Sequence, residues 1–297
     1  MSARAPLSVI IIACNEADRL PRALESLAGL DEILVVDSGS TDGTPTVARA
    51  AGARVVDHPW EGYSAQKTFA LGQVRHDWVL WIDADEALTP ELRASIEAAL
   101  AAQGERRAEH AAYAMNRRTA YLGRDLRHGG WYPDRKVRLF DRRRARFDGR
   151  RVHERLCVDG SIGFLAGDLL HDSFRDFDHH VRKTHEMARL WADQEHGHRR
   201  ARFHDLALRP GAKFCKRYVW RGGFREGWRG LLIAGMAAYA DWLKYAWLLT
   251  LSASPPHRSG PAPARSRRQG PEPASSAPPP RAPRERQTQG KDGADGC

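Results

Sequence analysis

Apolar residues in this chain come in short runs that end abruptly in polar ones. Residues 7–13 run into Asn15 and Glu16, residues 32–36 into Asp37, and Trp-Val-Leu-Trp-Ile at 78–82 into Asp83-Ala84-Asp85-Glu86. Continuous runs of this length, rich in β-branched and aromatic residues, predict strands buried on both faces. A shorter run at 54–56 predicts one more. Between the runs the period changes. Leu20, Ala23, Leu24 and Leu27 recur at helical spacing with Gly29 as the stop, residues 44–51 predict a second helix, and 64–74 a third. Strand alternating with helix is the pattern of parallel, right-handed βαβ units.

The bulk of each run is core. Chemistry is expected just beyond the runs, because open α/β sheets bind ligands at the carboxyl ends of their strands. Three successive strands ending in Asn15-Glu16, Asp37 and Asp83-Ala84-Asp85 place polar groups along one edge. Two carboxylates one residue apart can face a divalent ion, and oxygen ligands suit magnesium or manganese bridging phosphates; many exposed turns carry two acids for no such reason. Asp37 opens a loop of small residues, 38–43, where it either accepts a bond from a ligand or caps its own turn. No P-loop pattern and no Gly-x-Gly-x-x-Gly follows these strands, which disfavours mononucleotide hydrolases and dinucleotide dehydrogenases.

Composition shortens the foldable chain. Of 297 residues, those from 252 to 297 are dominated by Pro, Ser, Gly, Arg and Gln, a composition that predicts a disordered tail. The 42% hydrophobic residues suffice for a sizeable core. A net charge of +10 favours anionic partners: nucleic acid, an anionic membrane surface or phosphorylated substrates. Cys14, Cys157, Cys215 and Cys297 lack paired or metal-like spacing, so a reducing compartment and no structural zinc are expected. The apolar run at 7–14 meets Asn15-Glu16 at once and reads as a first strand rather than an export signal.

Three segments together resemble family 2 glycosyltransferases of the GT-A fold: Leu-Ser-Val-Ile-Ile-Ile-Ala-Cys-Asn-Glu at 7–16, Ile-Leu-Val-Val-Asp-Ser-Gly-Ser-Thr-Asp-Gly-Thr at 33–44, and Val-Leu-Trp-Ile-Asp-Ala-Asp at 79–85. The resemblance implies an α/β fold, a nucleotide-sugar-binding mixed sheet flanked by helices. It implies that Asn15, Glu16 and Asp37 hold the uridine of a UDP-sugar, that Asp83 binds ribose, and that Asp83 and Asp85 bind a divalent cation, Mg2+ or Mn2+. Lys67 sits where the family often has a basic residue near the nucleotide; a helical lysine is otherwise simply solvated. Gly62-Tyr-Ser-Ala-Gln-Lys67, Trp131-Tyr-Pro-Asp-Arg-Lys-Val-Arg-Leu-Phe140, Val152-His-Glu154 and Leu170-His171 are similar to the branch that adds glucose to the inner-core heptose of lipopolysaccharide.

An inverting transferase needs a carboxylate to take the acceptor's proton. The Glu-Asp pair that family members usually carry downstream is missing here. Glu154 is the first candidate and Asp134 the second, each open to being an ion-pair partner of nearby arginines. His171 either reaches the metal or diphosphate or is hydrogen-bonded structure. Basic residues crowd 135–155, and the alternation in Lys136-Val-Arg-Leu-Phe140 suggests a strand with one basic face. That strand reads either as a phosphate-binding surface or as a solvated edge guarded by its charge; no recognised motif supports nucleic acid. Residues 177–195 predict a helix whose histidines lack zinc spacing. From 210 to 251 basic and aromatic residues interleave and then give way to an apolar stretch. This reads as helices lying on an anionic cytoplasmic leaflet or packed on the catalytic domain, and Asp241 and Lys244 argue against a simple span.

The expected organisation is a catalytic domain at 1–175, a helical and membrane-associated extension at 176–251, and the tail. The expected function is transfer of a hexose, glucose from UDP-glucose, onto phosphorylated lipopolysaccharide core at the inner face of the cytoplasmic membrane. A polyprenyl-phosphate acceptor, or a non-catalytic polyanion-binding role, are the alternatives.

Overall fold

The computed structural model describes residues 4–104, 110–148 and 156–253. Its first half alternates as the sequence predicts: β1 (Leu7–Ala13), α1 (Leu20–Leu27), β2 (Glu32–Asp37), α2 (Thr44–Ala50), β3 (Arg54–Asp57), α3 (Tyr63–Gln73) and β4 (Trp78–Asp83). These four strands pair in parallel in the order β3-β2-β1-β4. Strands covered on both faces need apolar residues on both, and β1 is apolar on both apart from buried Ser8, whose hydroxyl donates to Glu32 at 2.6 Å. Leu7, Val9 and Ile11 pack with Leu20, Leu24 and Leu27 of α1, while Ile10 packs with Leu34, Val79 and Ala70 on the other side.

Beyond β4 the sheet becomes mixed. β5 (Glu86–Leu88) turns back directly after the two aspartates, and α4 (Pro90–Gly104) leads to β6 (Ala112–Tyr121), β7 (Arg124–Asp125), β8 (Asp134–Asp141), β9 (Ala145–Phe147), β10 (Leu156–Val158) and β11 (Ile162–Asp172). β8 runs antiparallel between β4 and β6, β11 lies beside β6, and β5 closes the far side; β9 and β10 form a separate hairpin. The expectation of a solvated edge at 136–140 is therefore corrected. β8 is paired on both sides, Leu139 and Phe140 are fully buried, and Arg138 is only 3% exposed.

α5 (Phe177–Glu195), α6 (Phe203–Cys215) and α7 (Trp228–Ala253) form the helical part. Asp176 caps α5 by accepting from His179 N at 2.6 Å. α7 packs against α5 and α6, and Ile233 joins Tyr121 and Leu126 in a small core that fastens the layer to the sheet. Asp241 and Lys244 are taken up inside this layer: Asp241 pairs with Lys213 at 3.8 Å and the Lys244 ammonium lies 5.4 Å from the Trp191 ring. Among the described residues no helix is long and apolar enough to cross a membrane. The expected tail lies outside the described residues from position 254 onward.

Candidate functional site

Register builds the site. Ala13 of β1 lies opposite Asp37 of β2, and Ile12 lies opposite Asp83 of β4, so the polar strand ends fall in one line at the carboxyl edge. The two loops at this edge are tied together. Asn15, at φ 56°, accepts from Thr41 N at 2.8 Å through Oδ1 and donates its own N–H to Ser40 Oγ at 2.9 Å; Glu16 N donates to Thr44 Oγ1 at 2.8 Å. Asp37 accepts from Gly39 N at 3.1 Å, Ser40 N at 2.9 Å and Ser40 Oγ at 2.5 Å. It caps its own loop, the structural role the sequence left open.

The two aspartates of the Asp-Ala-Asp turn sit in different fields. Asp83 is 41% exposed toward the edge, and Arg138 Nη2 reaches it at 2.9 Å. Burial acts to raise its carboxyl, but the Arg138 and Lys67 cations outweigh it and hold the group at about 2. Asp85 is nearly buried and receives Arg19 Nη1 at 3.1 Å. Burial, with the charge of Asp83 added, pushes it up to about 6 against that arginine. One acid is thus well compensated and its neighbour is short of positive charge.

Beneath them lies an ion network that the sequence reading missed. Glu86 is fully buried; it accepts from Asp83 N at 2.9 Å, Arg138 Nη2 at 2.7 Å and Arg117 Nη1 at 3.4 Å. Burial still dominates and raises its carboxyl to about 7. Arg138 lies 4.0 Å from the Trp81 ring centroid, and its Nε and Nη1 have no hydrogen-bond partner among the described residues. Lys67 is buried with its ammonium 3.5 Å from the same ring, so it is not the solvated lysine its helix composition allowed. The alternation in β8 placed Arg138 on a face but not in a core. Only the insertion of β8 beside β4 buries it.

β11 delivers His171, which pairs in register with Glu86. Its Nε2 lies 3.6 Å from Asp85 Oδ2, and Nδ1 is within 2.9 Å of Ser173 Oγ and 3.2 Å of Thr119 Oγ1. Burial, with help from the Arg117 cation, pushes the imidazole down to about 2, so it is neutral. Arg19 links the first loop to this cluster by also pairing with Glu16 at 2.5 Å, and Arg175 adds bonds to Asp18 at 2.7 Å and Glu16 at 3.2 Å. Arg19 is near Glu16 in sequence, but its bond to Asp85 spans 66 positions and those of Arg175 to the first loop up to 160, so no local pattern marks either as part of the site.

The candidate bases fare differently. Asp134 pairs with Arg117 at 2.8 Å and Lys136 at 3.1 Å, and through Arg117 it adjoins Glu86. Glu154 lies outside the described residues. Much of the basic run is engaged locally: Arg142 donates to the carbonyls of Leu71 and Val74, Arg143 pairs with Asp141 and Asp77, and Arg144 donates to Asp159 O. A cavity of about 100 Å³ beside the acids is lined by Asp18, Arg19, Asp85, Glu86 and Asp172. Among the described residues no group of three or more His, Cys, Asp or Glu could hold a metal ion by itself.

Comparison with known proteins adds the lineage. The family model described as "Glycosyl transferase family 2" matches residues 8–156. The chain is 34% identical over 261 residues to the lipopolysaccharide core biosynthesis glycosyltransferase LpsC of Rhizobium meliloti (strain 1021), covering 83% of this chain and 95% of that one. It is 33% identical over 261 residues to an uncharacterized glycosyltransferase, RT0209, of Rickettsia typhi (strain ATCC VR-144 / Wilmington), covering 83% and 87%. Among solved structures, glucosyl-3-phosphoglycerate synthase from Mycobacterium tuberculosis in complex with Mn2+, UDP and glucosyl-3-phosphoglycerate is similar over 39% of this chain and 44% of that chain. The identity there is 28% and the TM-score 0.32.

Proposed function

The chain belongs to glycosyl transferase family 2, and on that premise we propose that it moves a hexose, glucose from UDP-glucose, onto a heptose of lipopolysaccharide core. The similarity to LpsC supports the acceptor class. The observation that carries the donor reading is the aligned strand-end edge, where compensated Asp83 and charge-starved Asp85 lie side by side. Asn15, Glu16 and Asp37 would frame the uridine, and Asp83 the ribose. Lys67, whose charge already bears on Asp83, would lie near the diphosphate.

The donor set fits a divalent cation. Asp85 offers a hard oxygen beside the neutral imidazole of His171, and with so few protein ligands the remaining positions would fall to diphosphate oxygens and water, as magnesium and manganese accept. Such a cation supplies charge to offset that developing on the departing diphosphate. In the transfer itself, the acceptor oxygen forms a bond to the anomeric carbon from the face opposite the diphosphate. The bond from that carbon to the phosphate oxygen breaks, and the hydroxyl proton passes to a carboxylate, proposed as Glu154 with Asp134 second. The acceptor would be met at the inner, anionic surface of the cytoplasmic membrane.

Isothermal titration of the full chain with UDP-glucose, with and without manganese, tests this. Metal-dependent binding that Asp85→Ala abolishes is expected. Absence of binding to UDP-glucose, UDP and other UDP-sugars would overturn the transferase reading of the site and favour a polyanion-binding role.

A further inference from the structure

One cleft in the described structure lies away from the strand ends. It has a volume of about 530 Å³ and lies between the β7 hairpin and the turn that precedes α7, lined by Arg124, Arg127, His128 and Arg225 with Asp125 and Glu226. Its acids are already engaged. Asp125 pairs with Arg118 at 3.2 Å, and buried Glu226 accepts from Arg127 N at 3.0 Å, His128 N at 2.9 Å and His128 Nδ1 at 2.7 Å. Arg124 Nε also approaches Glu226 at 3.9 Å, so the excess positive charge of the cleft rests mainly on Arg127 and Arg225.

Next to the cleft the chain forms a knuckle. A π-helical turn, Lys216–Trp220, leads through Gly222 at φ 68° into a 3-10 turn, Gly223–Glu226, and then α7. Trp220 is 80% exposed, and Val219, Phe224, Trp228 and Leu231 are each about half exposed. The knuckle is firmly built nonetheless. Gly129 N donates to Arg221 O at 2.8 Å, and Gly230 packs so closely that a Cβ there would lie 1.8 Å from Gly223 O. A fold that fixes its backbone this tightly while holding large aromatic residues in water marks a contact surface. The segment 213–231 carries Lys213, Lys216, Arg217, Arg221, Arg225 and Arg229 against one acid of its own, Glu226, and of these Lys213 is paired with Asp241 of α7. A second copy of the chain would set like charge against like. An anionic bilayer matches both features, because its interface takes up aromatic rings and its headgroups attract arginine.

We propose that the knuckle is a membrane-docking element in which Trp220, Phe224 and Trp228 enter the bilayer interface while Arg124, Arg127 and Arg225 hold the phosphate of an anionic phospholipid. The assignment deepens the membrane part of the proposed function and rests on it, whereas the donor site is independent of it.

The test is co-sedimentation of the full chain with vesicles of phosphatidylcholine alone or mixed with phosphatidylglycerol. Salt-sensitive binding to the mixed vesicles is expected. Trp220→Ser with Trp228→Ser should weaken it by roughly ten-fold or more, and Trp220→Phe with Trp228→Phe should retain it. Arg124→Gln with Arg225→Gln should weaken binding roughly thirty-fold at about 1 kcal/mol per basic residue near the surface. Equal binding to both vesicle types, or undiminished binding of the tryptophan-to-serine variant, would overturn the proposal. Displacement from vesicles by inorganic phosphate, where chloride of equal ionic strength does nothing, would make the cleft a soluble-phosphate site and overturn the headgroup assignment. Titration of the same variants with UDP in solution reads the donor site separately: unchanged UDP binding with lost vesicle binding supports the docking role, and failure of the wild type to bind UDP would refute the donor reading alone.

Discussion

Arg138→Met tests whether the buried network under the aspartates is a structural necessity. In the native protein Arg138 Nη2 lies 2.9 Å from Asp83 and 2.7 Å from Glu86, and the guanidinium packs on Trp81. Methionine keeps most of that packing and removes the charge. Asp83 is partly exposed and can be rehydrated. Glu86 is fully buried and cannot, and it keeps only Asp83 N and a 3.4 Å contact to Arg117. Removing one partner of a buried pair costs about 3–5 kcal/mol when the other charge is stranded, but Glu86, already raised to about 7, escapes part of that by taking up a proton, so a loss near the low end, about 3 kcal/mol, is expected. Glu86→Gln alone leaves Arg138 with Asp83 and should cost about 1–2 kcal/mol. The double variant strands no carboxylate, so it should be roughly 2 kcal/mol more stable than Arg138→Met alone. Urea unfolding of the four proteins, followed by far-UV circular dichroism, gives the cycle. If the two losses simply add, or if Arg138→Met costs less than about 1 kcal/mol, Glu86 is not held by Arg138 and the account of the site's foundation fails.

Glu154→Gln should lower kcat by roughly 10²–10⁴-fold, the usual worth of a positioned base, with UDP-glucose affinity unchanged in calorimetry; normal turnover would move the assignment to Asp134. His180 is buried against Phe174 and bonded to Tyr121 at 2.9 Å, and burial depresses its imidazole to about 4. The folded state therefore binds fewer protons than the unfolded state between about 6.5 and 4, and stability falls as pH drops through that window. His180→Gln should lose about 3 kcal/mol less than the wild type between pH 7 and pH 4 in paired unfolding curves, and identical pH profiles would refute the argument. Gly230→Ala forces a methyl group into the Gly223 carbonyl, a backbone atom with no flexible end to yield. It should cost about 1–3 kcal/mol in thermal unfolding and weaken vesicle binding as well, and an unchanged melting temperature would show that the knuckle is loosely packed.

The edge carrying Asn15, Asp37 and Asp83 was legible because each is the polar end of a local apolar run, and parallel strands line up such ends. Asp85 and His171 were legible as types but not as neighbours; their 3.6 Å approach depends on β11 pairing with β5, far away in sequence. Lys67 shows the limit in the other direction. Its helix gives no sign that the ammonium rests on Trp81 rather than in water.

Sequence alone determined the alternating βαβ half, the placement of its acids and the character of the C-terminal helices, because periodicity and run length act over a few residues. The tertiary structure decided where charges are buried. β8 pairs between β4 and β6, and that one insertion turns an arginine of apparently solvent-facing type into the buried counter-ion of Asp83 and Glu86. Burial depends on which elements become neighbours, and no local pattern in β8 records its neighbours.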